Sequence, residues 1–196
     1  MTTLNVDLKS TYFQHSSLTK IYGEPTFQSL HKLYKEVKAN ASSVASTLGG
    51  GLNGHLGLVV TPVNYARTAP NTPYTRPGHP GALQINQNDT QYLIAVENDR
   101  HSTATKQFKE CNLLERTLVQ QIKDAVDPDY LEAITDDETG SILGTVTEIM
   151  IDLFAVYGYV NPTTLNDKRD EILALTVNNS KPSTPFSTQS RKTRAS

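Results

Sequence analysis

Gly49-Gly50-Gly51, followed by Gly54, His55 and Gly57, is the stretch whose spacing comes nearest to a chemical motif. Gly49-x-Gly51-x-x-Gly54 has the glycine pattern of a dinucleotide-binding turn, and Gly49 and Gly54 have the gap of a phosphate-binding loop. Both motifs need more than glycine. A dinucleotide turn leaves a strand and opens a helix, whereas here a helical pattern precedes the glycines and the strand-like Leu56-Gly57-Leu58-Val59-Val60 follows them. A phosphate loop needs Lys and then Ser or Thr after its second glycine, to hold phosphate and Mg²⁺, and His55-Leu56 stands there instead. The glycines are therefore read as a turn-rich loop that takes positive φ or lets backbone approach closely. No bound cofactor is expected.

The other chemistry-bearing residues are dispersed. His15, His31, His55, His79 and His101 are far apart in sequence, and none lies three or four residues from another histidine or from Cys111, the spacing zinc sites favour. His55 and His79 share the Gly/Pro-rich region and could meet in space. Cys111 falls on an apolar helical stripe, where a thiol packs as a small hydrophobe. Asp127, Asp129, Asp136, Asp137 and Glu138 are dense enough for a cation site, but Leu131 occupies the place of a third oxygen ligand in a calcium loop. Asp127 precedes Pro128 and suits a helix cap, and residues 136–138 suit a solvated turn. Gly140-Ser141 lacks the glycine spacing of a hydrolase elbow. The expectation is no metal, no catalytic residue and no enzyme.

The elements around these residues are helical. A helix starts at Thr26, after Pro25, with a stripe of Phe27, Leu30, Tyr34, Val37, Ala41, Val44 and Leu48, which the triple glycine ends. Thr61-Pro62 opens a short helix through Tyr65, and five prolines between residues 62 and 80 make an extended, irregular segment. Residues 82–85 could pair with residues 56–60 as a short hairpin. Asn88 or Asp89 then caps the longest pattern, through Leu93, Val96, Ala104, Phe108, Cys111, Leu114 or Glu115, Leu118 and Ile122 to Val126. Unbroken, it would span about 57 Å, so a bend near Arg100 or residues 103–105 is expected. Ile142, Val146, Ile149, Met150, Leu153, Phe154 and Tyr157 form a helix from Ser141 that Gly158 ends, and Asn161-Pro162 opens a last one through Leu165, Ile172 and Leu175. The expected fold is mainly α, with at most that short hairpin. Its core is Phe27, Leu30, Tyr34, Val37, Leu118, Ile122, Val146, Ile149, Leu153 and Phe154. Residues 1–16 are read as flexible, 17–175 as a helical domain that could divide into two lobes near residue 86, and 176–196 as a disordered Ser/Thr-rich tail.

Charge is laid out in blocks. Residues 1–88 carry seven Lys or Arg against three Asp or Glu, residues 89–171 seven against seventeen, and the remainder Lys181, Arg191, Lys192 and Arg194 with no acid. An acidic body with basic ends suits a polyanionic partner held at the ends. The single cysteine forms no intrachain disulfide, and no run of 18 apolar residues is present. The first residues lack the basic and apolar regions of a signal peptide. A cytoplasmic protein without a membrane partner is expected.

The block from Ser17 to Ala66, with Leu48-Gly-Gly-Gly and Gly54-His-Leu-Gly-Leu-Val, resembles the N-terminal half of Gag-like proteins of Copia-type LTR retrotransposons. The block from Leu118 to Ile172 resembles their C-terminal half: a helix, the short Asp127-x-x-Tyr130-Leu131 segment, a helix ending in aromatic-Gly, and a further helix. Together these blocks span about residues 17–172. The chain departs from the family in having no Trp and no Cys-x-x-Cys…His…Cys zinc knuckle. The resemblance implies a capsid-like homo-oligomer that packages element RNA in cytoplasmic particles. In the absence of a knuckle, Lys181, Arg191, Lys192 and Arg194 are the candidate contacts to single-stranded RNA. The alternative is a non-assembling helical adaptor that binds another protein.

Overall fold

The structure, a computed structural model, describes residues 8–86 and 88–159. The expected helix after Asn161 and the basic residues Lys181, Arg191, Lys192 and Arg194 lie outside the described residues.

Among the described residues, five α-helices carry the fold: α1 (Leu8–Thr11), α2 (Phe27–Ser43), α3 (Pro62–Thr68), α4 (Gln91–Ala125) and α5 (Val146–Tyr157). Each long one starts on a threonine. The Thr26 hydroxyl accepts from the Ser29 amide while the Ser29 hydroxyl answers the Thr26 N–H, and Thr145 and Glu148 make the same reciprocal box for α5. Thr61 caps α3, with Pro62 in its first turn. The Asp127 carboxylate accepts from the Asp129 N–H at 3.2 Å, opening a 3₁₀ turn over Pro128–Tyr130. The helix start expected at Thr26, the caps expected at Thr61 and Asp127 and the stop at Gly158 are thus in place.

The core is where α2, the second half of α4, and α5 meet. Leu30, Val37, Leu118, Ile122, Val146, Ile149 and Leu153 are buried there, and Phe13, Leu18, Ile21, Leu58, Val59 and Leu131 close it from the connecting segments. Because α2, α4 and α5 share this one core, no lobe boundary falls at residue 86 among the described residues. Phe154 packs edge-on against Phe27 and Tyr34 at 6.0 and 6.1 Å between centroids, joining α5 to α2. Tyr34 and Phe154 are half-buried, and Phe27, expected in the core, is 41% exposed. It stands in the first turn of α2 and stacks on His31, which is itself exposed.

Several expectations are corrected. The α2 stripe stops at Ser43, because Val44 turns extended and Gly54-His55 fold across the helix end, where the His55 N–H takes the Ala41 carbonyl at 2.9 Å. Residues 56–60 are no strand: Leu56–Leu58 form a 3₁₀ turn and residues 82–85 remain irregular, so there is no hairpin there. Gly57 sits directly against the Tyr74 ring, and this close packing curls the segment inward. The one β-bridge among the described residues joins Thr135 to Ile142, which places Ile142 before α5 and moves that helix's start from Ser141 to Val146. α4 begins at Gln91 with Thr90 as its cap, while Asp89 accepts from the Asn86 N–H. It runs uninterrupted to Ala125, about 52 Å. Its length is accommodated by projection: no residue from 88 to 110 is buried, so Leu93, Val96, Ala104 and Phe108 are not core. Within residues 8–16, part of the stretch expected to be flexible, Leu8–Thr11 form α1 and Phe13 is buried.

Candidate functional site

Three separate segments converge on Cys111. The fold of the glycine loop beneath α2 delivers His55, the extended segment after α3 delivers Tyr74, and α4 presents the thiol from its apolar stripe. The Tyr74 hydroxyl stands 2.9 Å from His55 Nδ1 and 3.5 Å from Cys111 Sγ, and the thiol is 3.8 Å from the imidazole. Two residues beyond Tyr74, Arg76 grips both carboxylate oxygens of Glu115 and reaches Asn112 at 3.3 Å. The two spacings match: residues i and i+2 of an extended chain are separated by about the same distance as i and i+4 of a helix. Residues 74 and 76 therefore fasten side by side along positions 111 and 115.

A cysteine near a histidine invites a nucleophilic reading, which requires a thiolate beside an imidazolium. The environment favours the opposite pair. Burial pushes the Cys111 thiol up, outweighing its hydrogen bond to Tyr74 and the charge of Arg76. Burial likewise pushes His55 down, against a hydrogen bond to the Ala45 backbone, and pushes the Tyr74 phenol far up. All three groups are held neutral, and His55 and Cys111 are buried. The cluster fixes the segment after α3 to α4. His55 does not meet His79, whose ring packs edge-on against Phe108 and accepts from the Gly81 N–H.

A second polar cluster lies between α2 and α4 and acts on backbone. Asn40 and Gln121 are buried. The Asn40 amide accepts from the His15 N–H and donates to the His15 carbonyl, both at 2.8 Å, and donates to Gln121 Oε1 at 2.9 Å. Gln121 donates to the His15 and Ser16 carbonyls at 3.0 Å. One turn before Asn40, the Glu36 carboxylate accepts from the Thr19 N–H and the Thr19 hydroxyl, each at 2.7 Å. The Ile21 N–H then donates to the Ala125 carbonyl at 2.8 Å, near the end of α4. Residues 13–21 thus lie in a groove that reads their main chain and buries Phe13, Leu18 and Ile21. A sequence signal for this existed. Asn40 and Gln121 each stand three residues beyond a core position, Val37 and Leu118, so helical spacing puts both amides on a buried face.

Glu36 makes this groove sensitive to acid. Burial alone would raise its carboxyl, but the two bonds from Thr19, with His15 and Lys32 nearby, outweigh burial and leave it below the usual glutamate range. A carboxylate lowered in the folded state stabilises fully above its unfolded pKa, and that contribution is lost as pH falls through the lowered value. Wild type should therefore lose more melting temperature than Glu36→Gln when pH is taken from neutral to below the glutamate range. Parallel losses in the two proteins would show that Glu36 is not a source of acid sensitivity.

The remaining candidates serve local structure. Asp136 Oδ1 accepts from the Glu138 and Thr139 N–H groups and the Thr139 hydroxyl, which lowers its carboxyl and closes the turn before the β-bridge. Among the described residues no three His, Cys, Asp or Glu side chains are placed to hold a metal ion. No helix among them is long and apolar enough to cross a membrane. Compared with protein families, curated proteins and solved structures, the chain has no match.

Proposed function

We propose that the chain is a non-enzymatic, Gag-like structural protein that self-associates into capsid-like particles and packages element RNA in the cytoplasm. The observation that carries this reading is the first half of α4. Tyr92, Leu93 and Val96 are 76, 47 and 44% exposed on a helical stretch with no buried residue between 91 and 110. An isolated helix of about that length is marginal in water and gains most of its stability from packing one face. A second copy that covers the apolar edge supplies that packing. The positions of His55, Tyr74 and Cys111, locked in neutral form within the fold, agree with a protein that works through its surfaces.

Negative-stain microscopy and light scattering of the purified chain test the reading directly. Particles or sheets are expected, together with their loss in Val96→Glu at an unchanged melting temperature. A strictly monomeric protein with featureless grids would replace it with the non-assembling adaptor.

The RNA grip is assigned to Lys181, Arg191, Lys192 and Arg194, because the stretch from residue 89 to 171 is strongly acidic and repels polyanion. If each cation neutralises one phosphate of a single strand, binding should weaken with salt at a log–log slope of about −2.8. Between 50 and 200 mM salt that is roughly a fifty-fold loss of affinity. Removing residues 181–196 should flatten the slope. A truncated chain that binds as tightly with the same slope would move the grip to the basic N-terminal third.

A further inference from the structure

The groove between α2 and α4 recognises the main chain of a non-helical arm, residues 13–21, joined to α2 by residues 22–26, which are exposed except for Pro25. We propose that this arm is exchangeable: residues 13–21 of one copy enter the α2–α4 groove of a second copy, linking the two. The contacts that hold the arm are self-contained. They comprise main-chain bonds from Asn40, Gln121, Glu36 and the Ala125 carbonyl, the Thr19 hydroxyl bond to Glu36, and three buried apolar side chains. None depends on whether the arm belongs to the same chain. An empty groove would expose to water the apolar surface that Phe13, Leu18 and Ile21 now cover and would forfeit the bonds from Asn40, Gln121 and Glu36 to the arm, which is costly, so an arm that leaves is favourably replaced by an equivalent one. A second copy of this chain offers the same residues at the same spacing.

The connector decides which groove the arm enters. After Ile21 the chain runs through residues 22–26 before α2 begins, with Tyr22 87% exposed. Residues 23 and 24 form a bend, and Gly23 holds φ +72 with no atom near the place a β-carbon would take. This bend is what returns the arm to its own groove, and Pro25 stiffens the exit from it. Straightening the bend directs the same arm outward. Exchange of an identical element makes the same contacts between copies as within one, so its balance is set by the connector and by local concentration. The proposal deepens the self-association reading, which supplies that concentration, but it rests on a different face from the exposed half of α4.

The test uses the full chain carrying Val96→Glu, which blocks assembly through α4, with Gly23 and Glu24 deleted. Light scattering is expected to give twice the 21.6 kDa chain mass, and a molar excess of a synthetic peptide spanning residues 10–22 should return it to monomer. Because the α4 contact is already removed in this background, a dimer separates arm exchange from particle assembly. A shortened chain that stays monomeric, or a dimer that the peptide leaves intact, overturns the proposal. Because the deletion could impair folding, the fluorescein-labelled peptide is also titrated into the unshortened chain. Saturable binding, abolished by Gln121→Leu, is expected where the arm opens and re-enters. An absence of binding at every concentration overturns exchange while leaving particle formation to be judged on its own.

Discussion

Gly54→Val is expected to abolish soluble folded protein or to lower its melting temperature more than any other single change in the glycine loop. Gly54 holds φ +50, in the left-handed region that a β-branched residue avoids. A β-carbon there would lie 2.5 Å from the Val44 carbonyl oxygen and closer still to that of Ser42, both backbone atoms at the end of α2. Neither can yield without moving the helix terminus. Displacing the loop withdraws His55, whose N–H closes the helix on Ala41 and whose ring anchors Tyr74. Backbone strain of about 1–3 kcal/mol and overpacking of about 1–3 kcal/mol together remove roughly 2–6 kcal/mol. That is a large part of the roughly 5–15 kcal/mol a domain has in total. A valine variant that melts with wild type would refute the account. The same melting experiment should show no shift with ATP or GTP, because loop N–H groups that a phosphate would need are already spent: Gly51 on Leu48, His55 on Ala41, Leu56 on Asn53.

Leu153→Ala should destabilise by about 2–5 kcal/mol, the usual range for emptying a packed leucine site. Leu153 is 2% exposed and sits on the same α5 face as Val146, Ile149 and Met150 in the shared core. Ile151, two positions away, is half exposed and gives the internal control: Ile151→Ala should change the melting temperature little. Equal effects of the two substitutions would mean that α5 does not present the face assigned to it.

The elements legible in the sequence were those fixed by local chemistry. A threonine or aspartate before a helical stripe has one inexpensive use, so Thr26, Thr61 and Asp127 located real helix starts. The α5 stripe was legible because its apolar positions repeat over three turns. What could not be read depended on distant partners. Residues 56–60 have the composition of a strand, yet a strand needs a neighbour, and the Tyr74 ring takes the place beside Gly57 instead. Phe13, Leu18 and Ile21 have no periodicity, because an irregular segment in a groove is held through its main chain by Asn40 and Gln121, far away in sequence. The meeting of His55 with Cys111 is likewise a product of tertiary packing that residue spacing does not encode. The apolar residues of early α4 misled in the other direction: their spacing is helical, but helical spacing does not state what a face packs against.

One hydrogen-bond ladder runs the whole length of α4, yet its two ends belong to different cooperative units. Opening the turns beyond Cys111 exposes Leu114, Leu118 and Ile122 and so requires global unfolding, whereas opening those before it uncovers almost nothing. Amide exchange along this single helix should therefore step down sharply near residue 111, with the slow protons on the C-terminal side. Arg100, Lys106 and Lys109 lie in the fast-opening part, which makes them the first trypsin sites within α4 in dilute protein. Their rate of cleavage reports, turn by turn, whether anything has come to cover the projecting half.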